Sequence, residues 1–322
     1  MGTTVFKRKI YNEILEWKNN RSDKYALLIR GARRVGKSTI VEEFASKEFK
    51  SYIMLDFART SKDINSLFED LYSLDFFFLQ LQQLTGVRLY EQESVIIFDE
   101  VQLLPKARQA IKYLVEDGRY KYIETGSLLS IRKNTKDILI PSEEHKIDMY
   151  PMDFEEFLWA IGDEVTADTI RILMKNKRPA GNTMHRSLMR IFRLYMLVGG
   201  MPQAVETYLA DNNLQAVDEA KREIVDLYEE DFAKIDGTGL AGDVYDAIPA
   251  SLSGNASRYV LANARAGIKS EQMKELVPDM LSSYTVLIAY HANNPSVGMS
   301  LEKDAGRYKL FTSDVGLFVT LA

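Results

Sequence analysis

Eight residues, GARRVGKS from Gly31 to Ser38, constrain this chain more than any other feature. They fit the phosphate-cradling pattern G-x-x-x-x-G-K-[ST] without a mismatch. A strand-like run, YALLIR (Tyr25 to Arg30), precedes them, and a helix-like run, TIVEEFASKEF, follows. In that strand–loop–helix context the consecutive backbone N–H groups form an anion-binding concavity, and the helix start adds partial positive charge. Gly36 lets the backbone bend close to a phosphate. Lys37 is the residue that would reach the β- and γ-phosphates, and Ser38 the one that would ligate Mg²⁺. The nucleotide-binding set read from this run is Gly31, Arg34, Val35, Gly36, Lys37, Ser38 and Thr39. The cofactors it calls for are ATP and Mg²⁺.

Further strand-like runs follow: SYIMLDF (Ser51 to Phe57), SVIIFDE (Ser94 to Glu100), KYIETGS (Lys121 to Ser127) and HKIDMY (His145 to Tyr150). Helical patterns lie between most of them. YALLIR, SVIIFDE and KYIETGS are apolar almost throughout, as strands covered on both faces are. The expected fold is α/β, a parallel-sheet P-loop NTPase core. In SVIIFDE the acidic pair falls at the carboxyl end of a buried strand, where open α/β sheets bind ligands. Asp99 there can hold Mg²⁺ beside the loop, and Glu100 can polarise an attacking water as a general base. A hydrolase needs that second carboxylate, and a small-molecule kinase does not. Catalytic roles are thus expected of Lys37, Glu100 and Ser127. Thr125 and Ser127 lie just past a strand that would neighbour the P-loop strand. A small polar side chain there could contact the γ-phosphate; a plain turn at Gly126 is the other reading.

After Tyr150 the pattern becomes nearly all helix as far as Ile235, with Asp153 and Glu156 spaced like an acidic capping box. Gly199 and Gly200 suit a helix end, and Pro202 the next helix start. DGTGLAGD, from Asp236, reads as a flexible joint. Three short helical runs and a two-stranded wing after it suggest a winged helix. The expected domains are a P-loop core (1–150), a helical lid (151–235) and a winged-helix-like unit (236–322). The candidate recognition helix, SEQMKELV, sets Lys269 and Lys274 against Glu271, Glu275 and Asp279. That balance is unlike a phosphate-binding face.

With 322 residues, 46% of them hydrophobic, a sizeable core is available. The net charge of −5 supplies no global basic field for nucleic acid. No cysteine is present, which excludes disulfides and thiolate metal sites and fits a cytoplasmic protein. The three histidines (His145, His185, His291) lack metal-ligand spacing. No run approaches the ~18 apolar residues of a membrane span, so no membrane partner is expected.

The runs GARRVGKST, VIIFDEVQ, IETGSLLS, YPMDFEEFLWA and VGGMPQAV together resemble a prokaryotic family of AAA-type P-loop ATPases joined to a C-terminal domain of unknown function. PMDFEEF, GGMP and YKLFTSDVGL are its more specific parts. The resemblance implies an AAA core, a helical lid and a winged-helix unit. It assigns the nucleotide and Mg²⁺ roles to Lys37, Ser38, Asp99 and Glu100. Longer members carry a nuclease-like module, which would begin just after DVGL, where this chain stops. Arg190 and Arg193 are the candidates for a lid arginine that senses nucleotide, and IRKNTK (Ile131 to Lys136) for an arginine supplied to a neighbouring subunit. The reading that results is an ATP-hydrolysing switch or motor. Its partners would be ATP and ADP, an unidentified protein client and further copies of the chain, with nucleic acid as a further candidate. The alternative is a nucleotide-dependent nucleic-acid-binding regulator with negligible turnover.

Overall fold

The computed structural model describes residues 4–69, 71, 73–126, 141–253, 258–294, 299 and 302–322. The chain divides into two compact units, Met1–Met149 and Tyr150–Ala322.

In the first unit, helix α1 (Ile10–Asn20) leads into strand β1 (Ala26–Arg30) and helix α2 (Lys37–Glu48). Then come β2 (Ser51–Asp56), α3 (Lys62–Ser66), α4 (Leu74–Thr85), β3 (Ser94–Asp99), α5 (Pro105–Asp117), β4 (Lys121–Gly126) and β5 (Glu144–Asp148). The five strands form one parallel sheet in the order β2-β3-β4-β1-β5. Ala26 to Ile29 of β1 and Val95 to Phe98 of β3 are wholly buried, as their unbroken apolar runs require. Alternate side chains go to opposite faces. Ala26, Leu28, Ile53, Leu55, Ile96, Phe98 and Tyr122 share a core with the apolar faces of α4 and α5. Helix α2 covers the other face through Ile40, Val41 and Phe44. The Trp17 indole N–H, donating to the Tyr25 carbonyl at 2.8 Å, ties α1 to the entry of β1.

The second unit comprises helices α6 (Phe154–Ala160), α7 (Thr166–Lys175), α8 (Asn182–Val198), α9 (Pro202–Asp211) and α10 (Leu214–Ile235). Four further helices follow, α11 (Leu240–Asp246), α12 (Ile248–Ser253), α13 (Leu261–Ala264) and α14 (Ser270–Ser282). An antiparallel hairpin of β6 (Val286–Ala292) and β7 (Lys303–Thr312) and helix α15 (Val315–Leu321) complete it. Asp153 and Glu156 form the expected capping box, through bonds of 2.9 and 3.2 Å. DGTGLAGD is a hydrogen-bonded turn that runs into a helix. The Asp236 carboxylate accepts from the Thr238 and Leu240 N–H groups at 3.0 and 2.7 Å, and the second half of the run is helix α11, with Leu240 and Ala241 buried. A local acceptor for its orphan N–H groups makes that glycine-rich stretch ordered.

Two of the three runs most specific to the resemblance, GGMP and YKLFTSDVGL, meet in this unit. The Asp314 carboxylate, buried at the start of α15, accepts from the Gly200 N–H at 2.6 Å and from the Leu317 N–H at 2.9 Å. Burial pushes its carboxyl up, and those N–H donors pull the other way. The buried Lys221 ammonium donates to the Leu197 and Gly316 carbonyls at 2.8 and 3.2 Å. Backbones pass so closely here that a Cβ on Gly200 would lie 1.9 Å from the Met152 oxygen, and one on Gly316 would lie 2.6 Å from the Gly199 Cα. GGMP and DVGL are therefore a crossing of main chains, and their glycines answer to packing. Gly200→Ala is expected to cost about 3 kcal/mol or more, because main chain on both sides would have to move. Thermal unfolding checks this, and a melting temperature equal to that of the wild type would refute it.

Candidate functional site

The site follows from strand register. Ile29 pairs with Thr125, and Phe98 pairs with Glu124. The next residue, Asp99, is thus level with Thr125 at the carboxyl ends of the strands, and β4 separates β3 from the P-loop strand. Asp99 and Thr125 share the face that α2 covers, and α2 begins at Lys37.

The loop from Gly31 to Gly36 adopts the conformation its glycines permit. Gly36 has φ of +94°, a left-handed value that favours glycine, and Arg34 has φ of +67°. A Cβ on Gly31 would sit 2.2 Å from the Met149 oxygen, so main chain passes where a side chain would be. Val35 is buried, Ser38 and Thr39 are half-buried, and Arg34 is exposed. Lys37 is buried at 5% exposure, and its ammonium donates to the Gly31 and Ala32 carbonyls at 3.0 and 2.8 Å. It therefore lies along the inside of the loop.

Three elements converge on one oxygen. Asp99 Oδ1 accepts from the Ser38 hydroxyl at 2.8 Å and from the Thr125 hydroxyl. Thr125 Oγ1 also receives the Glu100 N–H at 3.2 Å. Glu100 itself has φ of +54°, and its carboxylate accepts from the Gln102 amide. So Lys37, Ser38, Asp99 and Glu100 all lie at the loop or at the end of β3. Ser127 and the basic run Ile131 to Lys136 lie outside the described residues. Arg190 and Arg193 are exposed on α8 in the second unit.

Thr125, Gln102 and Arg8 are contributors that motif matching passes over. Thr125 had a sequence signal in ETGS, but its bond to Asp99 depends on register. Gln102 follows the acidic pair and orients Glu100. Arg8, ahead of α1, is buried and donates to the Val35 carbonyl of the loop at 2.9 Å. Only the basic run FKRK hints at it.

The donor set suits a hard cation. A serine hydroxyl and a carboxylate are oxygen ligands of the kind Mg²⁺ accepts beside phosphate oxygens and water. Among the described residues no group of three or more His, Asp or Glu could hold a metal unaided. Nor, among them, is any helix long and apolar enough to cross a membrane.

Comparison with known proteins agrees with the parallel-sheet fold. Residues 23–158 match the family model of an AAA domain, and residues 189–322 match that of a domain of unknown function. No protein of curated function matches the chain. Among solved structures, a Walker-type ATPase of Pyrococcus abyssi aligns at 15% identity over 98% of this chain and 96% of its own, with a TM-score of 0.56. The Aeropyrum pernix ORC1 protein in complex with DNA aligns at 13% identity over 99% and 93%, with a TM-score of 0.36. The first likeness, at that identity, establishes the fold. The chain thus has the fold of an AAA-type P-loop NTPase, with the AAA-domain match in its first part and the match to a domain of unknown function in its last.

Proposed function

We propose that this chain binds ATP with Mg²⁺ and hydrolyses it as an AAA-type switch or motor. The helical stretch 151–235 acts as a lid and 236–322 as a winged-helix-like output, handing the nucleotide state to a partner. Helices α11 to α14 followed by the β6–β7 hairpin favour that output. The observation that carries the reading is the single Asp99 oxygen shared by Ser38 of α2 and Thr125 of β4.

Ser38 and Asp99 would hold Mg²⁺ together with oxygens of the nucleotide. The cation supplies charge neutralisation for the phosphates. The protein's own groups do the rest. Backbone N–H groups from Arg34 to Thr39 surround the phosphates, and Lys37 turns its ammonium from the loop carbonyls to the γ-phosphate. Glu100 orients and deprotonates water, with Gln102 fixing its carboxylate. Thr125 couples Asp99 to the Glu100 backbone, so a change at one is felt at the other. Ser127, two residues on, is the second hydroxyl available to the γ-phosphate.

Replacing Lys37 by alanine removes a charged donor whose bonds are worth about 1.5–3 kcal/mol. ATP affinity should fall by about tenfold to 100-fold in titration calorimetry. An unchanged affinity would show that the nucleotide is bound elsewhere. The rival phosphotransferase reading requires that no phosphate be released without an added acceptor.

A further inference from the structure

A long stretch of the second unit carries charge of one sign. Between Thr169 and Val205 there are seven Lys or Arg residues and no Asp or Glu, in a chain whose net charge is −5. These residues lie on α7, on α8 and on the loop that connects them. All seven are exposed. Arg171 is paired with Glu155 and with Asp168. The other six, Lys175, Lys177, Arg178, Arg186, Arg190 and Arg193, make no ion pair among the described residues.

Their placement is regular. Arg186, Arg190 and Arg193 follow the i, i+4, i+7 spacing of one helix face, which spans about 10 Å along the axis. The same face carries Met189 and Leu197 and forms a shallow groove of about 470 Å³. The opposite side of α8 is engaged in folding. Phe192 and Tyr195 stack on Phe154, with ring centroids 5.2 and 5.5 Å apart, and the Tyr195 hydroxyl donates to the Met152 carbonyl.

We propose that the arginine face of α8, flanked in sequence by the cations of α7 and the connecting loop, is a phosphate-backbone surface for double-stranded nucleic acid. Unpaired cations on a protein of opposite net charge repel one another, and a polyanion relieves that cost. Arginines predominate, and a planar guanidinium matches a phosphate through two parallel bonds. A lipid surface would instead use the exposed apolar residues Ile172, Met174, Met196 and Leu197, and phosphatidylserine vesicles are the arm of the test that reads it. Helix α14 is a poor site, since Lys274 is already paired with Glu271 at 3.2 Å and Glu275 adds exposed negative charge. Because phosphate contacts carry no sequence information, binding at α7–α8 is independent of sequence. It also needs no nucleotide at the P-loop, so it can fail without the ATPase reading failing, and the reverse.

The test uses the full chain without nucleotide and two unrelated fluorescent 30-base-pair duplexes, with anisotropy read from 50 to 200 mM NaCl. The wild type should bind both alike, with affinity falling steeply as salt rises. A chain carrying Arg186→Ala, Arg190→Ala and Arg193→Ala should bind about tenfold or more weakly, and its log–log salt slope should drop by about 3. Lys175→Ala with Lys177→Ala and Arg178→Ala should act in the same direction. Lys269→Ala with Lys274→Ala should change nothing. All replaced side chains are exposed, and circular dichroism verifies folding. The proposal is overturned by wild-type chain that does not bind duplex, by binding to phosphatidylserine vesicles instead, by an arginine variant that binds like wild type, or by equal loss in the α14 variant.

Discussion

Glutamine in place of Glu100 is expected to leave ATP bound and to reduce turnover by about 10²–10⁴-fold, the usual contribution of a positioned general base. The amide keeps the shape of the carboxylate and can still bond to Gln102, whose amide reaches Glu100 in the wild type. It cannot take a proton from water. The hydroxyl and carboxylate expected to hold Mg²⁺, Ser38 and Asp99, are untouched, and so is the Thr125 bond that links Asp99 to the Glu100 N–H. Binding and hydrolysis should therefore separate. Nucleotide affinity by calorimetry and phosphate release by a coupled assay read the two quantities independently. Equal losses in both would mean that Glu100 supports the loop and does not act on water.

The second large effect concerns a carboxylate outside the nucleotide chemistry. Glu124 of β4 is wholly buried, and among the described residues neither of its oxygens has a hydrogen-bond partner. Its neighbour Glu144 is taken up by Arg108, which donates two bonds of 2.8 and 2.9 Å. Burial first, and the Glu144 charge second, push the Glu124 carboxyl well above the ordinary carboxylate range. The native state thus keeps a proton that the unfolded chain releases above its usual value of about 4.5. A native state that binds more protons loses stability as pH rises. The penalty is absent below the unfolded value, and it grows by up to about 1.4 kcal/mol per pH unit until the folded value is passed. Glu124→Gln has no proton to lose and should gain more stability over the wild type at pH 8 than at pH 5. Urea unfolding at both pH values, followed through Trp17 in a Trp159→Phe background, reads the difference. Parallel pH dependences in the two proteins would mean that Glu124 is ionised in the fold.

What the sequence made legible was local. GARRVGKS is read from one segment, because the loop, its left-handed Gly36 and the start of α2 all lie within eight residues. The buried parallel strands declared themselves by unbroken apolar runs. Thr125 was in view, yet its bond to Asp99 spans 26 positions and exists only because β4 lies between β3 and β1. GGMP and DVGL were recognisable as specific without a reason, since the Gly200–Asp314 bond joins segments 114 residues apart. DGTGLAGD reads as a joint by glycine content alone, whereas the Asp236 carboxylate decides its conformation. Helix α14 drew attention as a recognition helix from its place in the pattern. The cations of α7 and α8 are spread over two helices and a loop, and the i, i+4, i+7 spacing that sets Arg186, Arg190 and Arg193 on one face counts only once α8 is known to be a helix.

Counting phosphates released per chain at saturating ATP and Mg²⁺, with no acceptor added, tests the central claim most directly. The site built from Lys37, Ser38, Asp99 and Glu100 predicts many phosphates per chain from the wild type and close to none from Glu100→Gln in the same assay. One phosphate or fewer per wild-type chain would contradict it and leave a nucleotide-binding regulator in its place.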